Sequence, residues 1–329
     1  MSQWIQYAIA FAVLSLSAWA YMRVADRFGI VDAPNQRSSH SRATIRGGGI
    51  IILLCVLLFA AFNQHWNSAF TGVLIVGVIS FLDDVRPLHQ APRLLAQLVA
   101  ALGLLWSVGG PGMSPFWWIL GVVMVIGWIN AFNFMDGVNG ITVLYATAAL
   151  LSLRSVHLLV DQQGLIDLLL LSCAVFGFLN FRTRALAFAG DVGSISIAFL
   201  LAYLMALLIV RSGQWAYICF FSVYAVDTGM TIIRRLGKKE NIFHAHRRHL
   251  YQKLANEKRM PHLLVSVLYA FTQLAINFLL LEAIRADKVS LCVSLILSGL
   301  TVTYVLCFPS RESWRPTSIP GRSPFSGST

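Results

Sequence analysis

Polar and apolar residues alternate along this chain on a scale of tens of residues. Eleven apolar runs can be traced, at 4–22, 48–62, 69–82, 94–108, 116–132, 141–153, 165–179, 195–210, 215–233, 262–281 and 289–308, with short polar segments between them. A bilayer core about 30 Å thick takes roughly 20 apolar residues per helical crossing. A backbone surrounded by lipid must satisfy its own hydrogen bonds, so each run is predicted to be a helix. The pattern therefore predicts an all-α integral membrane protein with about eleven transmembrane helices, the third and sixth being the shortest. The first run has no charge before Arg23 and no small-residue cleavage site, so it reads as a retained helix rather than a secretory signal. No internal repeat is visible. Residues 1–308 are expected to form one polytopic catalytic domain. Residues 309–329, rich in Ser, Pro, Gly and Arg, are expected to be a disordered tail.

Composition supports this class: of 329 residues, 57% are hydrophobic and only 12% charged, about half the roughly 25% usual in soluble domains. Charge supplies the orientation. Taken alternately, one set of loops holds 21 of the 25 Lys and Arg residues, leaving Arg154, Arg211, Arg285 and Lys288 for the other. The bias places the N-terminus outside and the C-terminus in the cytoplasm. The net charge of +11 then needs only orientation and attraction to anionic lipid, about 1 kcal/mol per basic residue near the surface. Without a soluble basic domain, nucleic acid is not an expected partner. Cys55, Cys173, Cys219, Cys292 and Cys307 all lie within apolar runs and lack CxxC spacing, so they imply neither disulfide nor metal site.

The scarce acids carry more information. Asp83 and Asp84 end the third run, Asp136 follows the fifth, Asp191 precedes the eighth and Asp227 lies inside the ninth. A carboxylate at membrane depth is costly unless paired or hydrated, which makes each a functional candidate. Simple ion pairs are the alternative, Asp84 with Arg86 and Asp227 with Arg234. Asp and Asn oxygens at helix ends suit Mg²⁺, which uses one or two carboxylates together with substrate phosphates. The stretch Gly190-Asp191-Val192-Gly193-Ser194 opens a helix whose free N–H groups are expected to favour an anion. Arg46-Gly47-Gly48-Gly49 likewise leads into a helix, with glycines that permit close backbone approach. No GxxxxGK[ST] loop is present, against an ordinary NTPase. Residues 234–253 are strongly basic and contain His244, His246 and His249. With no Cys or carboxylate to complete a tetrahedral zinc set, histidines beside Arg247 and Arg248 better suit a pyrophosphate.

Five segments in order give a resemblance. They are Asp32-Ala33-Pro34-Asn35-Gln36-Arg37 with His40 and Gly48-Gly49; Asp83-Asp84; Asn130-x-x-Asn133-x-x-Asp136-Gly137-x-x-Gly140; Gly190-Asp191-x-Gly193-Ser194; and the histidine loop. In these the chain resembles the polyprenyl-phosphate N-acetylhexosamine-1-phosphate transferases (glycosyltransferase family 4), the integral-membrane family that includes MraY and WecA. The resemblance implies attack of a lipid phosphate, undecaprenyl phosphate in a bacterial inner membrane, on the β-phosphate of a UDP-N-acetylhexosamine at the cytoplasmic face, releasing UMP. It implies Mg²⁺, with Mn²⁺ as the alternative, held by Asp191 and Asn133. Asp83 and Asp84 would orient or deprotonate the lipid phosphate, and Asn130 and Asp136 would line the nucleotide pocket. Arg37, His40, His244, His246, Arg247, Arg248 and His249 would contact substrate.

Two departures stand out. Where relatives end the loop in His-x-His-His, alignment on His249 puts Tyr251 and Gln252 at the later positions. Asn139 stands where many relatives carry aspartate, which bears on uracil contacts. The tyrosine-glutamine loop resembles the branch that initiates O-antigen or other surface polysaccharides. An intramembrane prenyltransferase would need two DxxxD-type motifs, and a transporter would place its acids near the midplane, often in repeated halves. Neither pattern is present. The sequence leaves the oligomeric state open, a homodimer included.

Overall fold

The computed structural model describes residues 2–33, 43–240 and 248–308. The expectations for Arg37, His40, His244, His246, Arg247 and the 309–329 tail lie outside the described residues. The helices are α1 (Gln3–Phe28), α2 (Ile51–Asn63), α3 (Ser68–Val85), α4 (Gln90–Val108), α5 (Pro115–Phe134), α6 (Ile141–Arg154), α7 (Gln163–Asn180), α8 (Gly190–Ser212), α9 (Ser222–Gly237), the short α10 (Leu250–Gln252), α11 (His262–Arg285) and α12 (Val289–Cys307). Turns of 3-10 helix lead into α2 (Gly48–Ile50), α7 (His157–Gln162) and α9 (Trp215–Phe221), and a π turn, Lys253–Glu257, continues α10.

Among the described residues, nine helical stretches are long and apolar enough to cross a membrane, and two more, Gly48–Asn63 and Ile141–Arg154, are apolar but shorter. The short members are therefore the second and sixth segments, not the third and sixth. The third gains one residue at its start, where Asn67 caps it by accepting the Phe70 N–H, and three at its end, where Asp83, Asp84 and Val85 remain helical. Apolarity alone ends that run at Leu82. A helix continues as long as its polar residues find partners.

Helix α8 is the centre of the bundle, with 89% of its apolar window buried, whereas α12 has 11% and α1 22%. Their surroundings differ accordingly. The faces of α1 and α12 look outward through residues such as Trp19, Leu295 and Leu306, while α8 packs against α3, α5 and α6.

One departure from regular helix lies inside the bundle, where the ninth span changes from 3-10 to α geometry at Phe221–Ser222. The Val223 N–H donates to Gln273 Oε1 at 2.9 Å and the Tyr224 N–H to Tyr145 Oη at 3.3 Å. Side chains of α6 and α11 thus satisfy donors that lipid would leave unpaired.

The only strands among the described residues are β1 (Val31–Asp32) and β2 (Thr44–Ile45), paired antiparallel with Val31 opposite Ile45. From β2 the chain runs onto the approach to α8: the Phe188 N–H donates to the Ile45 carbonyl, Gly48 N–H to Phe188 and Gly49 N–H to Ala189. Cβ atoms have no room where this loop crosses α8. A Cβ on Gly49 would lie 2.3 Å from Gly193 Cα, and one on Gly193 would lie 2.7 Å from Gly49 Cα. The glycines read as ligand-approach positions serve instead to bring two backbones of the same chain together.

Candidate active site

The end of α3, the start of α4, the Arg46 loop and the start of α8 converge on one cluster. Asp84, with a fully buried side chain, receives Arg46 Nε at 2.7 Å. Its two oxygens accept the N–H groups of Asp191 at 2.9 Å and Val192 at 3.0 Å. Gly190, at φ +70°, makes the turn into α8 so close to this carboxylate that a Cβ there would lie 2.4 Å from Asp84 Oδ2. The helix start expected to hold an external anion therefore already holds one of the protein's own, because a carboxylate supplied from α3 reaches those N–H groups first. Asp84 does not pair with Arg86.

Asp83 turns the other way, accepting the Leu88 N–H at 2.6 Å and meeting Arg93 Nη1 at 3.1 Å. Arg93 also bonds Asp191 Oδ2 at 3.1 Å, and Arg46 reaches Asp191 Oδ1 at 3.3 Å. The result is a continuous chain of alternating charge, Asp83–Arg93–Asp191–Arg46–Asp84, in which three carboxylates share two guanidinium groups. Burial would lower the Arg46 guanidinium pKa, but Asp84 and Asp191 more than offset this and hold it above its usual value. Asp191 is the carboxylate of the three most open to solvent, at 15%.

The segment between α5 and α6 lines the same end of the bundle. Asn133 Oδ1 accepts from Ser194 on α8 at 2.6 Å, and Asp136 accepts from Thr142 at 2.6 Å. Burial pushes the Asp136 carboxyl up to about 6, against the opposing hydrogen bond from Thr142. Asn130 turns inward instead, donating to Gln97 Oε1 of α4 at 2.8 Å and to the Ile126 carbonyl. Asn139 is buried and donates to the carbonyls of Arg182 and Thr183, while its own carbonyl accepts from Ser266. Both side-chain amides thus bond to their own chain.

Asp227 organises the described part of the histidine loop in the way Asp84 organises α8. It accepts the N–H groups of Leu250 at 2.8 Å and Tyr251 at 3.2 Å, and the Tyr269 hydroxyl at 2.7 Å. His249 Nδ1 lies 3.6 Å from it. The expected Asp227–Arg234 pair gives way to these contacts. His249 is buried between Phe134 and Tyr251 and forms a capping box with Gln252. Tyr251, fully buried, donates to the Phe134 carbonyl at 3.0 Å and so ties this turn to the α5–α6 segment. Arg248 pairs with Glu240, which Arg235 also meets at 3.4 Å. Burial works to raise the Glu240 pKa, but these arginines hold it below its usual value.

The donors present suit a hard cation. Asp191, Asp83 and Asn133 offer carboxylate and amide oxygens, and the charge chain carries one more negative than positive group. Among the described residues no three His, Cys, Asp or Glu side chains are grouped as a complete metal cage. Mg²⁺ commonly keeps waters and takes substrate phosphates as ligands, so it calls for only one or two carboxylates.

A family model for glycosyl transferase family 4 matches residues 66–209, from the α3 cap to the end of α8. Over these residues the chain is similar to that family. The match takes in Asp83, Asp84, Asn130, Asn133, Asp136, Asn139 and Asp191. The chain is 27% identical over 266 residues, 70% of its length and 71% of the relative's, to a probable undecaprenyl-phosphate N-acetylglucosaminyl 1-phosphate transferase of Bacillus subtilis. It is 27% identical over 282 residues, 81% of this chain and 88% of the relative, to an undecaprenyl-phosphate alpha-N-acetylglucosaminyl 1-phosphate transferase of Thermotoga maritima. A phospho-N-acetylmuramoyl-pentapeptide-transferase of Lactococcus lactis subsp. cremoris is 27% identical over 206 residues, covering 54% of this chain and 60% of the relative.

The structure also adds residues that sequence reasoning passed over. Arg93 served only to count charge, yet it joins Asp83 to Asp191. Its signal was present: Arg93 and Gln97 are polar at i and i+4 on an apolar helix, and so share a face. Asn180 gave no such signal. It accepts the Gly140 N–H at 2.8 Å and donates to the Ala187 carbonyl at 2.9 Å, joining the starts of α6 and α8.

Proposed function

We propose that the protein transfers N-acetylhexosamine-1-phosphate from a UDP-N-acetylhexosamine to undecaprenyl phosphate at the cytoplasmic end of the bundle, and so initiates O-antigen or another surface polysaccharide. The observation that carries this reading is the Asp83–Arg93–Asp191–Arg46–Asp84 chain, built from three helix ends and one loop at one end of an apolar bundle. A lipid-phosphate oxygen attacks the β-phosphorus of the donor. The bond from that phosphorus to the bridging oxygen breaks, and UMP leaves with the bridging oxygen.

Such a reaction needs positioning and charge neutralisation more than covalent help. Arg46 and Arg93, each already shared between carboxylates, are placed to turn toward phosphate oxygens, which they grip in bidentate fashion. Exposed Leu94 and Leu95 follow Arg93 directly, so the polyprenyl chain has an apolar surface beside the guanidinium that would meet its phosphate. Asp191 and Asn133 would hold Mg²⁺, which when bound neutralises charge on the diphosphate. Asp84 keeps α8 and the Arg46 loop in register, and Asp83 does the same for the turn into α4. With both oxygens of each engaged, positioning is the role their contacts favour over proton abstraction. Asp136 would line the nucleotide pocket.

The test is direct. Membranes containing the full chain are incubated with undecaprenyl phosphate and a panel of UDP-HexNAc donors, and both UMP and the lipid-linked product are measured. Stoichiometric appearance of the two with one donor is expected. Absence of both with every donor, from correctly inserted protein, rejects the reading.

A further inference from the structure

Helix α12 lies at the edge of the bundle, and in its second half Tyr304 alone is buried among the described residues. Its hydroxyl is 3.0 Å from Thr231 Oγ1 on α9. Thr231 Oγ1 also lies 3.4 Å from Asp227 Oδ1 and 3.5 Å from the Arg248 carbonyl. Either hydroxyl can donate in the Tyr304–Thr231 contact, and Thr231 links Tyr304 to Asp227 and to the Arg248 carbonyl. One turn on, the Phe308 ring has Arg234 over it at 4.2 Å and Lys253 at 4.5 Å. Lys253 is only 4% exposed, on a turn whose next charged residues, Glu257 and Lys258, are exposed.

We infer that the end of α12 is a strap that holds the Arg248–Glu257 turn in its docked position, with Tyr304 a positioning residue acting through Thr231 on Asp227 and Phe308 fixing the turn through Lys253. Two contacts, from neighbouring rings 4.8 Å apart, tie the strap to two points along the turn. Tyr304 reaches its start, where Asp227 caps Leu250 and Tyr251, and Phe308 reaches its middle. The functional consequence rests on the reading of this turn as part of the transferase site. A site docked only part of the time binds its substrate more weakly in proportion to the docked fraction, so loosening the strap raises KM before it lowers kcat.

The experiment uses the full chain in detergent or proteoliposomes. Lys253 is labelled with a water-soluble amine-acylating reagent, and its labelling rate is divided by that of exposed Lys258 in the same molecule. Tyr304→Phe removes the hydroxyl and keeps the ring, and Phe308→Leu removes the aromatic face and keeps bulk. Each is expected to raise the Lys253:Lys258 ratio at least fivefold and to raise KM for the UDP-sugar about fivefold, with kcat within twofold of wild type. Thr231→Val is expected to match Tyr304→Phe, and the double variant to add nothing further, because the two residues act through one contact. Val302→Ala, an exposed position on the same helix, is expected to leave both readouts as in wild type. A raised labelling ratio in a protein inactive with every donor supports the strap while rejecting the functional reading. An unchanged ratio in variants that elute and melt as wild type overturns the strap. A raised ratio with unchanged KM in active enzyme overturns its link to the site.

Discussion

Asp84 and Asp191 lie in contact with the same arginine, yet their surroundings differ enough to separate their roles. Asp84 is fully buried, with an ion pair and two backbone N–H groups on its carboxylate. Asp191 is more open, and the contacts it makes are to arginines that a phosphate can draw away. Removing one partner of a buried ion pair costs about 3–5 kcal/mol. Asp84→Asn is therefore expected to lower both activity and thermal stability in detergent, because its new amide faces Arg46 and the start of α8. Asp191→Asn is expected to abolish turnover with a melting temperature near wild type, since its loss relieves rather than strands the cluster. Equal melting temperatures for the two variants, both clearly below wild type, would show that Asp191 is as structural as Asp84. The same chemistry predicts that chelating divalent ions stops turnover and that Mg²⁺ or Mn²⁺ restores it. Turnover that persists in excess chelator would remove the hard cation from the account of Asp191 and Asn133. At His249 the structure redirects expectation. A buried ring in a capping box shapes the loop, so any effect of its substitution is expected to come with a change in the Asp227 contacts.

Elements are positioned here by carboxylates and glycines acting across the chain. Asp84 caps α8 from α3, Asp227 caps α10 from α9, and the loop before α2 crosses α8 where Gly49 and Gly193 leave no space for a Cβ. At that crossing the atoms a new methyl would meet are backbone, so relief requires moving a helix start. Gly49→Ala is expected to reduce folded yield and to cut activity at least tenfold, about 1.4 kcal/mol in the barrier, because the shift carries Arg46 away from Asp84 and Asp191. Full activity in a well-expressed Gly49→Ala protein would show that the crossing has more slack than its 2.3 Å approach allows.

At the scale of the molecule, the basic residues divide unequally between the two alternating sets of loops. Three of the four basic residues assigned to the opposite loops have carboxylate partners: Arg154 with Asp167, Arg211 with Asp161 and Arg285 with Glu282. If the charge bias sets orientation, a cysteine introduced at Ser310 is expected to react with a membrane-impermeant thiol reagent only from the cytoplasmic side. Labelling of intact cells at that position would invert the topology and place the Asp–Arg cluster on the outer face.

The sequence by itself determined the class, where the apolar segments run, the charge asymmetry and the residue types of the candidate site. Those follow from composition and from local spacing, which lipid and helix geometry constrain strongly. Asp83, Asp84, Asn133, Asp136 and Asp191 were legible as one group because each ends or begins an apolar run. Partner choice was not legible, because it depends on which helices become neighbours. Only the tertiary structure decided that Asp84 takes the N–H groups of α8 and not Arg86, that Arg93 bridges two carboxylates, and that Asn130 and Asn139 bind their own chain. A buried polar group takes whichever partner packing brings within hydrogen-bond reach, and sequence separations of 98 and 107 residues carry no record of that proximity.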